Sequence, residues 1–165
     1  MVITNSSPLI HITKLGKLEY LVKLVGHINI PKAVFEEVVV KGKNFNYSEA
    51  FTIENYIKRQ KIKVLSLEPF DTSFYPPLGK GELEALELAK QKKELLIIDD
   101  NKARNLAHLL QIEYQTTLTT VFELLISEVI DYSEYKSNLK QYAEDSWISA
   151  DLIQEYLEKG DKFGR

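Results

Sequence analysis

Short β-favouring apolar runs alternate with amphipathic helical stretches along this chain, and that alternation predicts the α/β class, a three-layer α/β/α sandwich around a mostly parallel sheet. Two observations carry the expectation: apolar runs near residues 1–4, 28–30, 63–67, 95–98 and 112–115, and helical periodicity in the segments between them. With 165 residues, 44% hydrophobic and 27% charged, the chain has the length and composition of one globular domain with a real core. A single domain over 1–165 is therefore expected, with 133–165 as a C-terminal helical extension.

The first run, Val2-Ile3-Thr4, feeds a helix for which Ser6 or Ser7 would be the cap and Pro8 a first-turn residue. Leu18, Leu21, Val22 and Val25 form the stripe of a second helix, closed by Gly26, and Ile28-Asn29-Ile30 is a second strand. Pro31 opens a helix that carries Val34, Val38 and the pair Glu36-Glu37 and ends near Gly42. Residues 48–59 read as an amphipathic helix, 63–67 as a strand, and 69–81, with Pro76-Pro77 and two glycines, as the longest irregular stretch. Glu82 to Lys92 forms a helix, 95–98 a strand, and 101–110 another helix. Leu118, Val121, Phe122, Leu125 and Val129 make a helical stripe, and 133–158 reads as one or two helices with Ser149 capping the last. Because Leu124, Leu125 and Ile126 make the helix at 118–130 apolar on more than one face, a homodimer is expected.

Composition excludes several classes of function. The chain has no cysteine, so disulfides and thiolate metal sites are ruled out, and any metal must bind through oxygen or imidazole. The first ten residues lack the basic-then-apolar design of a signal peptide, and no apolar run reaches the roughly 18 residues of a membrane span. A cytoplasmic protein with no membrane partner is expected. A net charge of −3 argues against nucleic-acid binding through bulk positive charge, although Lys41, Lys43, Lys58, Arg59, Lys61 and Lys63 concentrate basic residues in the middle third.

The chemistry gathers where strands end. Asp99 and Asp100 follow the apolar run Leu95-Leu96-Ile97-Ile98 directly, and like charges held that close call for a cation or for open water. In parallel sheets ligands bind outside the carboxyl ends of the strands, where strand order reverses. Asn5 ends the first strand, while Glu37 and Glu82 fall in early helical turns after strand or loop. Together these are hard oxygen ligands suited to Mg²⁺ or Mn²⁺. Each also has a simpler explanation: Asp100 as a helix cap, Glu82 as a helix N-terminal charge, Glu37 as part of an exposed face. Lys102 and Arg104 are placed to meet a phosphate backbone or to pair with acids. His11, His27 and His108 follow no metal-ligand spacing, and Trp147 and the tyrosines read as mostly core residues.

Four stretches, Val2-Ile3-Thr4-Asn5-Ser6-Ser7-Pro8-Leu9-Ile10, Ile30 to Val38, Gly79 to Ala85 and Leu96-Ile97-Ile98-Asp99-Asp100, resemble the PIN-domain proteins, in particular stand-alone relatives of VapC toxins. Trp147-Ile148-Ser149-Ala150-Asp151-Leu152 is similar to that subfamily's closing helix. The resemblance implies carboxylates that bind one or two divalent cations and RNA cleavage by metal-activated water. It places the family's first Asp on Asn5, its helix Glu on Glu37, its third acid on Glu82 and its strand-end acid on Asp100 or Asp99. Ser7 resembles a small hydroxyl residue kept near the site. The departure at Asn5 matters most, since an amide lends an oxygen but no charge.

Three functions follow. The first is a metal-dependent endoribonuclease, a toxin restrained by a small antitoxin protein. The second is a degenerate module that binds RNA or a protein partner without cutting. The third, a phosphoacceptor of the response-regulator type, fits poorly, because in that type the acidic pair follows the first strand and here the first strand ends in Asn5.

Overall fold

Successive strand residues point to opposite faces of a sheet, so a strand buried on both sides must be apolar at every position. The computed structural model describes residues 1–73 and 75–163, and its central strands follow that rule except at the buried polar positions Thr4 and Asn29. Strands β1 (Val2–Thr4), β2 (Ile28–Pro31), β3 (Ile62–Leu65), β4 (Leu95–Ile97) and β5 (Tyr114–Gln115) are all parallel and lie in the order β3-β2-β1-β4-β5. Val2, Ile28, Ile30 and Ile97 face one apolar layer, shared with Leu9 and Ile12 of α1 (Ser6–Lys14), Leu21 of α2 (Leu18–Val25) and Ile53 of α5 (Ser48–Lys58). Ile3, Leu96 and Ile98 face the other, with Leu86 and Ala89 of α6 (Lys80–Lys92) and Ala103 and Ala107 of α7 (Asn101–Leu109). The three-layer α/β/α sandwich expected from the sequence is the fold observed.

After β2 the chain is helical from α3 (Lys32–Phe35) through a π-helical stretch (Glu36–Lys41) to α4 (Gly42–Asn44), past the expected end near Gly42. Two strands are displaced from the sequence reading. β3 starts and stops earlier than 63–67, at Ile62 and Leu65, and β5 is only Tyr114–Gln115 because the Ile112 N–H is taken by the Ala107 carbonyl at 2.9 Å, closing α7 instead.

The last third forms a third apolar cluster. α8 (Thr117–Ile126) stops at Ile126 instead of continuing to 130, since the Val129 and Ile130 N–H groups turn back onto the Leu124 carbonyl at 2.9 and 3.2 Å. α9 (Tyr132–Asp145) and α10 (Ala150–Asp161) pack against it through Tyr135, Leu139 and Tyr142, with Tyr156 and Leu157 at the edge. The second apolar face of α8 is thus covered by the same chain. These helices are tied back to the N-terminal part by the near-buried Lys17–Glu134 ion pair and by the Gln141 amide donating to the Lys14 carbonyl at 3.1 Å. Among the described residues no helix is long and apolar enough to cross a membrane.

Candidate active site

From β1 the chain goes to β2 and β3 on one side of the sheet, and from β4 to β5 on the other, so the order reverses between β1 and β4. A crevice opens at such a point outside the carboxyl ends of the strands. Here it is a cleft of about 660 Å³, and its walls bring together Asn5, Ser7, Glu82, Asp99, Asp100 and Arg104 of the residues singled out from the sequence. Glu37 and Lys102 are not on those walls. Glu37 is half-buried between neighbours of the wall residues: its carboxylate accepts the Ser6 hydroxyl and lies against Gly81, where a Cβ would be 2.7 Å from Oε2. It therefore braces the neighbours of both Asn5 and Glu82. Lys102 is exposed on α7.

Each wall residue is held by identifiable partners. Asn5 occupies the N-cap position of α1 in place of the expected Ser6 or Ser7, yet its side chain makes no capping bond. It is only 3% exposed, and its Oδ1 is buried with no hydrogen-bond partner. A buried carbonyl oxygen left unpaired costs about 1–3 kcal/mol. Asp99 is the opposite case, since both of its oxygens are engaged: Oδ1 accepts the Thr117 N–H at 2.8 Å, and Oδ2 accepts the Thr117 hydroxyl at 2.7 Å and the Tyr142 hydroxyl at 3.3 Å. Asp100 does cap α7, its Oδ1 accepting the Ala103 N–H at 2.9 Å, which leaves Oδ2 free. Glu82 turns one oxygen back onto the Gly79 N–H at 2.9 Å, closing the start of α6. The simpler roles foreseen for Asp100 and Glu82 are therefore real, but each occupies one carboxylate oxygen only.

A family model described as a PIN domain matches residues 1–162. The chain belongs to the PIN-domain family. No curated protein matches it. The fold is of the nuclease type, and PIN domains generally use divalent metals. Among the described residues of this PIN domain, no three acidic or imidazole side chains stand close enough to hold a cation unaided. The donors on the cleft walls are nevertheless hard oxygens, the carboxylates of Glu82, Asp99, Asp100 and Asp145 and one unpaired amide carbonyl, and Mg²⁺ or Mn²⁺ is held by one or two carboxylates when water and phosphate complete its shell. The residues present fit such a cation.

Four contributors to this PIN-domain cleft were not picked out from the sequence. Thr117 starts α8 just past the end of β5, so the strand-end logic that found Asp99 would have found it too. His11 was read as an ordinary helix residue, but it lines the cleft and packs edge-on against Tyr142 with ring centroids 5.0 Å apart. Burial pushes the His11 imidazole down from its usual range, against the upward pull of Asp99, while burial and then the Asp99 charge push the Tyr142 phenol up. Trp147 was read among mostly core residues; it is instead fully exposed, on the wall formed by residues 145–149.

Proposed function

We propose that this PIN domain is a metal-dependent endoribonuclease, the toxin of a toxin–antitoxin pair. The observation that carries the reading is the buried, unpartnered Oδ1 of Asn5 in a cleft that also holds Glu82, Asp99 and Asp100. An oxygen with no partner inside the protein calls for a ligand that accepts its lone pairs, and a cation is the ligand the neighbouring carboxylates favour. Held by Asn5, Glu82, Asp99 and Asp100, such a cation would supply Lewis-acid polarisation of a phosphoryl group and a more acidic water.

The chain's own residues do the rest. Asp99, steadied through both oxygens by Thr117 and Tyr142, keeps one lone-pair position, on Oδ1, for a cation. Asp100 and Glu82 each offer the oxygen not used for capping, and Asn5 adds its carbonyl. Glu37 acts indirectly, by holding Ser6. Ser7 and Arg104, whose Nε is buried and unpartnered, bind the RNA backbone, with Lys102 outside the cleft as a further phosphate contact.

The small antitoxin is a partner of the same reading, supported by the exposed apolar group Val40, Phe45, Tyr47 and Phe51, in which Phe45 and Tyr47 stack at 5.7 Å. A homodimer remains part of the proposal, but α8 does not support it, because α9 and α10 cover its second face. A cytoplasmic site of action accords with a chain that has no cysteine.

The test is cleavage of single-stranded RNA by the purified protein with Mn²⁺ or Mg²⁺. Activity should be abolished by chelation and lowered about tenfold or more by Asp99→Asn or Glu82→Gln. Crystals soaked in Mn²⁺ should show anomalous density beside Asp99 and Asp100. A second reading, the non-cutting module, is favoured by the missing charge at Asn5; absence of both Mn²⁺ binding and cleavage would establish it over the nuclease.

A further inference from the structure

Trp147 is the only tryptophan of the chain, and it stands fully exposed on the wall of the cleft that carries Asp99 and Asp100. Its setting is built and not slack. Residues 146–149 connect α9 to α10, and both ends of the connector are extended, Ser146 at φ −133° and ψ 157° and Ser149 at φ −71° and ψ 145°. Both ends are pinned: the Ser146 hydroxyl donates to the Tyr142 carbonyl at 2.6 Å, and the Ser149 hydroxyl accepts the Leu152 N–H at 3.3 Å. Tyr142, at the near end, is itself bonded to Asp99. The connector that carries Trp147 is therefore anchored beside the strand-end carboxylates, and its indole, with no ring contact or hydrogen bond to another described residue, is open to a ligand in the cleft.

Resting on the nuclease reading above, we infer that Trp147 is a stacking platform for a nucleobase of single-stranded RNA, positioning the strand across the cleft. An exposed indole is sequence-tolerant as a stacking surface because every base has a π-face, whereas a duplex hides its bases. The same wall system supplies what the rest of a nucleotide requires. Arg104 lines the cleft as a cation, its guanidinium donating to Asn101 Oδ1 and its Nε unpartnered, and Ser7 and Ser149 line it as hydroxyls. A phosphate-facing cation beside an open ring matches a nucleotide's two parts, so the strand is the occupant these groups favour. At about 660 Å³ the cleft is within the range of sites that enclose small ligands.

Because Trp147 is alone, red-edge excitation reads this residue and nothing else. The experiment titrates the full chain, in Ca²⁺ to prevent turnover, with a single-stranded oligoadenylate, the same strand as a duplex, and an abasic strand of equal length. Quenching of Trp147 emission by the single strand, and not by the abasic strand or the duplex, is expected. Trp147→Ala should weaken single-strand binding about 5- to 100-fold and Trp147→Phe much less. In Mn²⁺, Trp147→Ala should raise KM and leave kcat in place, since stacking on a base, which the reaction leaves unchanged, binds ground and transition states alike. Unchanged melting of Trp147→Ala separates this from a folding defect.

Cleavage that proceeds with no quenching and an unchanged KM in Trp147→Ala would overturn the stacking inference while leaving the nuclease reading intact. Emission that shifts with protein concentration alone, together with self-association by sedimentation that Trp147→Ala abolishes, would overturn it in favour of a second copy of the chain. Absence of strand binding and of cleavage would remove both readings.

Discussion

Changing Asn5 to Asp adds one negative charge at a position where the structure already leaves a buried oxygen without a partner. The shape hardly changes, and the backbone stays fixed because the Asn5 N–H donates to the Ile97 carbonyl at 3.4 Å. Without metal the substitution should be harmful, since it places an unpaired carboxylate at a residue only 3% exposed and beside other carboxylates. A loss of about 1–3 kcal/mol is expected for the metal-free protein, or roughly 2–10 °C in melting temperature for a chain of this size. With metal the sign reverses. Two unit charges about 4 Å apart interact by about 4 kcal/mol at an effective dielectric near 20. A third of that, after screening and desolvation, tightens Mn²⁺ about tenfold. Calorimetric titration with Mn²⁺ and melting with and without Mn²⁺ measure both effects, and RNA cleavage should rise with affinity. A variant with the same Mn²⁺ affinity, the same metal dependence of melting and the same cleavage as the parent would refute the placement of position 5 among the ligands.

Thr117→Val deletes the 2.7 Å bond to Asp99 Oδ2 and keeps the N–H bond, so it should cost about 1.5–3 kcal/mol in urea unfolding and weaken Mn²⁺ binding about 10- to 100-fold. Unaltered Mn²⁺ affinity would show that Asp99 needs no such steadying. Two glycine-to-alanine changes should part company. Gly81→Ala sets a Cβ against the movable end of Glu37, 2.7 Å from Oε2, so a gain in helix propensity of up to about 1 kcal/mol should offset the crowding, while Glu37 swings off Ser6 and cleavage falls. Gly160→Ala sets a Cβ 2.4 Å from the ring of the fully buried Tyr135, whose hydroxyl is held by the Tyr156 carbonyl at 2.7 Å. Overpacking of about 1–3 kcal/mol should then win, lowering the melting temperature by a few degrees with cleavage per folded molecule unchanged.

The layers were legible because they rest on the period of apolar residues: Ile97 faces one cluster while Leu96 and Ile98 face the other, and the run reads as a strand buried on both sides. Asp99, Asp100, Glu82 and Asn5 were found at the cleft for a related reason, since the end of a strand is visible in sequence and parallel sheets place ligands there. What escaped was whatever depends on partners distant in sequence. Tyr142 is 43 residues from Asp99, and nothing local marks it as its support. The π-helical stretch at Glu36–Lys41 differs from an α-helix by one residue in its hydrogen-bond span, which leaves the apolar pattern almost the same. Trp147 lies between two helices in a connector too short to show any period, so its exposure had no sequence signature.

The support of Asp99 by Tyr142 has a consequence for a chain emerging from the ribosome. Asn5 is made first, its strand neighbour Ile97 some ninety residues later, and the residues that steady Asp99 later still. At roughly 5–20 residues per second, seconds of translation separate the first wall of the cleft from the last. During that interval an RNA-rich surrounding meets a nascent chain whose carboxylates are present but not yet aimed. On the nuclease reading, cleavage of the chain's own message would have to wait until α9 has cleared the exit tunnel and docked.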